Sequence, residues 1–454
     1  MVDDPWWLIG GVLFGLMWLV YMRWYQQPSR WCATALSTRL PRVLKPRPPA
    51  DCPACRQQAA YSTLPRSAGP PVRPWHEVKS RRGAPKRIAT DGFACPSPAC
   101  NYYHITDAQV HALVGDGMHG KRERIQTFRC QACKTTFSAR RHTPLYRLKT
   151  TSQRVAQVLA ALAEGLCVAA AVRVFGHRHA TITTWLTRAG EHSASLHDHW
   201  LHRLQLPHLQ LAELRTRLRN RAHVLWLWVA MDPLTKLIPV LHLGARTQCA
   251  AHTVIHELRQ RLAPGCVPVF TSDGLNLYFY ALSAHFGRWV VAVGQRVCQW
   301  RIAPELIYGQ VKKTYRHRKV VRVTRVMRCG TAEGLQAALR QLGLSGRLNT
   351  AFVERVNLTV RQSVAALARR TWATSQAVPS LLAHLEWWRG YYHVVRPHAS
   401  LRVPLAQPIA CGGQRLPRRY RQRTPAMAAG LTRRRWTARD LLLFPLPPSS
   451  LGAR

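Results

Sequence analysis

The chain has 454 residues, 47% of them hydrophobic, which is enough for several packed domains and excludes a disordered polymer. Sixty-six Lys and Arg against twenty Asp and Glu give a formal charge of +46, so the surface repels itself unless a polyanion neutralises it. The excess runs from residue 23 to the C-terminus rather than forming one juxtamembrane cluster, which points to nucleic acid before acidic lipid.

Residues 5–25 are predicted as a transmembrane helix. From Pro5 to Met22 there is no charge, and tryptophans stand at both ends of the run, as interfacial anchors do. Asp3 and Asp4 precede it, and Arg23, Arg30, Arg39, Arg42, Lys45 and Arg47 follow, so the positive-inside rule places the N-terminus outside and the body of the chain in the cytoplasm, tethered to the cell membrane. A buried apolar helix, or a working start at Met22, reads the same run otherwise. Residues 26–90 form a basic, Pro-rich linker without hydrophobic period.

The thirteen cysteines are spread over a long chain, and their close pairs have metal-ligand spacing, which reads as a reducing compartment. Within 91–142, Cys95 and Cys100 make one knuckle and Cys130 and Cys133 another, a set able to close a tetrahedral thiolate site around Zn²⁺ with Phe137 over it. Cys52/Cys55 is a rival pair, and His104 an alternative ligand. Lys121, Arg122, Arg124, Arg129, Lys134, Arg140 and Arg141 are expected to face phosphates.

Residues 150–200 carry helical periodicity. A helix over 152–164 ends at Gly165, a second from Val168 to Phe175 stops at Gly176, and a third starts near Ala180. This is the pattern of a helix-turn-helix, with Arg178, His179, Thr181, Thr183 and Thr184 as exposed readers of double-stranded DNA and Ile182, Trp185 and Leu186 in the core.

Residues 205–310 alternate strand-like and helical runs, which predicts an α/β core: strands at 208–216, 224–232 and 237–243 in an antiparallel meander, a helix over 248–262, then a strand ending in Asp273 and Gly274. The stretch 349–395 is helical again, and the basic tail 401–454 is expected to pack loosely apart from 436–443.

Three segments give these elements a specific likeness: Thr271-Ser272-Asp273-Gly274, Asn349 to Leu358 around Glu354, and Tyr391 to Leu401 with its Arg396-Pro397-His398. Residues 91 to about 443 resemble insertion-sequence transposases with a DDE catalytic domain, in the order zinc ribbon, helix-turn-helix, ribonuclease-H-like (integrase-like) core. The resemblance implies a core over 205–400 in which Asp273 and Glu354 hold catalytic Mg²⁺ or Mn²⁺, while Arg355 and Asn357 meet substrate phosphates or support the acid. It implies binding of the element's terminal repeats and of target DNA, DNA recombination by strand cleavage and transfer, and a homo-oligomer on DNA. The chain departs from the family at the first acid, where Ala212 stands. Glu213 and Asp232 are the candidate substitutes, although strand alternation aims Glu213 away from the metal unless a bulge turns it. The alternative is a catalytically inactive DNA-binding protein, an end-binding or repressor remnant; a membrane-anchored RNA-binding protein is a further rival.

Overall fold

The computed structural model describes residues 72–78, 88–219, 224–291, 298–317, 319–409 and 417–446. The expected transmembrane helix, nearly all of the linker and the Cys52/Cys55 pair lie outside them. Among the described residues no helix is long and apolar enough to cross a membrane.

Strands β1 (Leu113–His119), β2 (Ile125–Cys130) and β3 (Thr136–Ser138) form an antiparallel three-stranded sheet. Its small core is made of Cys95, Cys100, Cys130, Tyr102, Phe128 and Phe137.

Helices α1 (Ser152–Ala163), α2 (Val168–Phe175) and α3 (His179–Trp200) follow. Gly165 closes α1 at φ 103°, where a side chain would also strike the Gln362 carbonyl, so both the turn and the close approach require glycine. Gly176, at φ 72°, ends α2. α3 runs for 22 residues, far beyond the segment expected to read DNA, and its second half packs on α8 (Val378–Val394). The two helices nearly touch, since a Cβ on Gly190 would lie 2.2 Å from the Ala383 carbonyl oxygen.

The central sheet has six strands in the order β11-β10-β7-β4-β5-β6. Here β4 is His208–Arg217, β5 Val224–Met231, β6 Val240–Gly244, β7 Val269–Asp273, β10 Tyr308–Arg316 and β11 Lys319–Cys329. β4, β5 and β6 form the antiparallel meander read from sequence; β7 lies parallel to β4, and β10 parallel to β7. The sheet is therefore mixed and the fold is mixed α/β.

Alternate residues of β4 feed two cores, because successive strand side chains point to opposite faces. Leu209 and Leu211 pack with α4 (Gln248–Arg261) and α5 (Leu277–His285), while Ala212 and Leu214 pack with Val353, Val356 and Val360 of α7 (Ala351–Ser363) and Trp388 of α8. A short hairpin, β8 (Gly287–Val291) with β9 (Cys298–Ile302), follows α5, and α6 (Ala332–Gln341) covers Val269 and Val311.

The C-terminal region packs at 436–443, the stretch excepted from the expected loose tail, and departs from that expectation outside it, where Ala426 and Leu446 are also buried. Beyond the hairpin β12 (Val403–Ile409) and β13 (Arg418–Arg421), helices α9 (Pro425–Ala428) and α10 (Ala438–Leu443) place Ala426, Trp436, Leu441, Leu442 and Leu446 in the core of α1 and α3.

Candidate nucleic-acid interface and carboxylate site

The thiols of Cys95, Cys100, Cys130 and Cys133 all lie within 4.8 Å of one another. Cys95 and Cys133 are 3.5 Å apart and Cys100 and Cys130 3.7 Å, close to the roughly 3.8 Å between sulfurs bound tetrahedrally to zinc at about 2.3 Å. Burial pushes the Cys95 and Cys100 thiols up; Cys133 resists burial through its contacts with Thr135 and falls to about 6. Zinc fits this site. His104 is not part of the group.

Arg140 is a correction. It is buried on the Glu123 carboxylate rather than facing a phosphate. Glu123 also accepts from the Ser152 backbone N–H at 2.7 Å, from the Ser152 hydroxyl, and from Arg439 at 3.1 Å. Burial opposes ionisation, but these donors hold Glu123 at about 2. One carboxylate thus ties the cysteine module, the first turn of α1 and α10 together, at the helix end where negative charge is favoured.

Arg178 and His179 are exposed at the start of α3, with Thr184 one turn on; Thr181 and Thr183 are half-buried, and Ile182, Trp185 and Leu186 are buried. The Thr183 and Thr184 hydroxyls donate to the His179 and Ala180 carbonyls of their own helix.

The parallel register of β4 and β7 pairs Gln210 with Thr271 and Leu211 with Ser272. One step further sets Ala212 beside Asp273, on the face that α7 covers. Asp273 is raised by burial and by the nearby Glu354, against the Leu275 N–H, Arg246 and Lys313. On α7 the Glu354 carboxylate accepts from Lys313 Nζ at 2.5 Å and from Thr350 Oγ1 at 2.7 Å. Ala212, Asp273 and Glu354 therefore converge, with the Lys313 ammonium among them.

Glu213 lies on the other face. It pairs with Arg246 and accepts from Tyr278 Oη at 3.3 Å, and burial followed by the Asp273 charge raises its pKa. No bulge turns it, since β4 pairs with β5 in unbroken register from Gln210 to Arg217. Asp232 is fully buried and closes a turn, accepting from the Leu234 N–H at 3.0 Å, the Thr235 N–H at 3.1 Å and the Thr235 hydroxyl at 2.6 Å. Its lone pairs are committed to that turn. Arg355 is exposed next to Glu354, and Asn357 Oδ1 is buried without a hydrogen-bond partner among the described residues.

Two metal ions flanking a phosphodiester need a carboxylate that both can share, at the position between the other two acids. Alanine stands there, so the residues present do not fit a two-ion site.

Two residues escaped the sequence reading. Lys313 carried no signal of its own, standing among the neighbouring cations Lys312, Arg316 and Lys319. Gln210, fully buried, accepts from the Val353 N–H at 3.0 Å and donates to the Asn349 carbonyl at 3.0 Å, pinning the start of α7 to β4. A lone amide inside an apolar strand was its signal. The Tyr391–Leu401 segment serves packing: His393 Nε2 accepts from the Ile238 N–H, and Arg396 reaches Ser363 and Glu164. No family model matches the chain, and no curated protein matches it.

Proposed function

We propose that this chain is a DNA transposase of the DDE class in architecture, which binds the terminal repeats of a mobile element through a zinc ribbon and helix-turn-helix and whose strand cleavage and transfer are silenced at Ala212. The observation that carries this reading is the convergence of position 212 with Asp273 and Glu354 at the end of β7 and on α7. The strand order, with β7 and β10 added parallel beside an antiparallel meander, supports a ribonuclease-H-like core. The four clustered cysteines and the exposed start of α3 support the DNA-binding half. The charge of +46 supports a polyanionic partner.

On this reading the native chain is an end-binding protein. Glu213, on the wrong face, and Asp232, closed into its turn, do not replace the missing acid. The test incubates purified full-length chain with duplexes carrying the DNA that flanks its coding sequence, in Mg²⁺ and in Mn²⁺. Binding without cleavage by the native chain, cleavage and joining by Ala212→Asp, and loss of both in Ala212→Asp/Glu354→Ala are expected. Cleavage by the native chain would refute silencing at Ala212; absence of duplex binding would refute the transposase reading altogether.

A further inference from the structure

β10 outruns its neighbour. Its first four residues pair in parallel with Phe270–Asp273 of β7, which ends there; from Lys312 to Arg316 its remaining partner is β11. A two-stranded ribbon therefore projects past the end of β7, by roughly 17 Å for five residues at about 3.3 Å each.

The register sorts its side chains. Lys312 faces Thr324, Thr314 faces Arg322, and Arg316 faces Lys319, so one face carries four cations and two threonines. The other face carries Lys313, Tyr315, Val320 and Val323, with Tyr315 60% exposed. Residues 306–332 contain eight Lys and Arg and no acid.

Local chemistry works against this hairpin. Arg316 and Lys319 are directly opposed like charges, a destabilising cross-strand pair. His317, just past Arg316, is held at φ 46°, a left-handed backbone that Gly, Asn or Asp adopts with less strain. Two strands alone are marginal in water. A polyanion lying on the cationic face relieves the like-charge pair, because each of its cations then has an opposite charge beside it.

A ribbon of two strands fits the major groove, which is about 12 Å wide and about 8.5 Å deep. We propose that β10–β11 is a groove-entering element that holds duplex DNA through Lys312, Arg316, Lys319 and Arg322, on the face of the ribbon opposite the one whose Lys313 lies on Glu354. This rests on the reading of the chain as a DNA-binding transposase, and it adds a contact separate from the cysteine module and α3.

The test is fluorescence anisotropy of the full chain with a labelled mixed-sequence duplex over a range of KCl, comparing native protein with Arg316→Gln/Lys319→Gln/Arg322→Gln. Each lost phosphate contact lowers the slope of log K against log salt by about 0.9, so three lower it by about 2.7. An unchanged slope overturns the ribbon. A second measurement does not depend on the triple variant folding: a photo-crosslinking benzoylphenylalanine in place of Thr314 should attach to the duplex, and failure to crosslink while binding persists also overturns it. Native chain that binds no duplex, or prefers single-stranded RNA at equal salt, overturns the underlying reading; duplex binding with identical slopes removes the ribbon alone.

Discussion

Lys313 Nζ lies 2.5 Å from Glu354 Oε1, and its charge also reaches Asp273. A cation belonging to the protein therefore occupies the acidic site that the resemblance would give to metal. Lys313→Ala should let Asp273 rise further, since burial and Glu354 would then be opposed by one cation fewer. In the Ala212→Asp background the same change should tighten Mn²⁺ binding several-fold, read by electron paramagnetic resonance. Equal Mn²⁺ affinities with and without Lys313 would show that its ammonium exerts no hold on the site.

Cys130→Ser should abolish stoichiometric zinc, measured by atomic absorption. Structural zinc contributes on the order of 10 kcal/mol or more to small cysteine modules, so the sheet of β1–β3 should unfold with it. Through Glu123 the loss should reach α1, seen as faster amide exchange at its first turn. A full complement of zinc in the variant would eliminate this site.

Acid should destabilise the protein in two stages. Burial holds His192 and His197 at about 4, with Arg389 reinforcing the effect on His197. Imidazoles depressed from about 6.5 are neutral when folded and take a proton on unfolding, so the unfolded state binds more protons between about pH 6.5 and 4 and stability falls with pH there. Each fully buried imidazole contributes on the order of 3 kcal/mol. Glu386 resists burial through Arg389 and His197 and sits at about 2, so its contribution is present above about 4.5 and disappears as pH falls toward 2. Urea midpoints recorded from pH 7 to 3 should show the first loss, and His197→Gln should flatten it; a flat profile from 6.5 to 4 in the native chain would contradict these buried neutral histidines.

Asp232→Ala should cost about 3 kcal/mol, since it strips a buried turn of three hydrogen bonds to a carboxylate. The melting temperature should drop while Mn²⁺ binding by the Ala212→Asp chain is unchanged. Lost Mn²⁺ binding with an unchanged melting temperature would make Asp232 a ligand after all.

The strands and helices that position the carboxylates were legible because each is a short apolar run closed by a turn signal, as in Val269 to Asp273 before Gly274. The three helices of 152–200 were equally legible, with Gly165 and Gly176 punctuating them where their left-handed backbone lies. Long-range pairings were not. Nothing local to Glu123 announces Ser152, Arg140 and Arg439 as its donors, and nothing in the basic run of β10 singles out Lys313 as the residue lying on Glu354. Arg140 was misread for this reason: its composition is that of a phosphate contact, and its partner is an acid of the same module.

Arg439 Nε donates to the Ser152 hydroxyl across 287 positions of sequence, and Trp436 and Leu441 complete the core that α1 and α3 begin. Local helix formation by residues 152–200 is consequently not enough to finish their packing. The last strands of the central sheet and α8 leave the ribosome before α10 does. Closure over so long a loop is slow, so a nascent chain carries α1 and α3 incomplete until synthesis has passed Leu443, and a prematurely terminated polypeptide lacks the wedge that holds them in place.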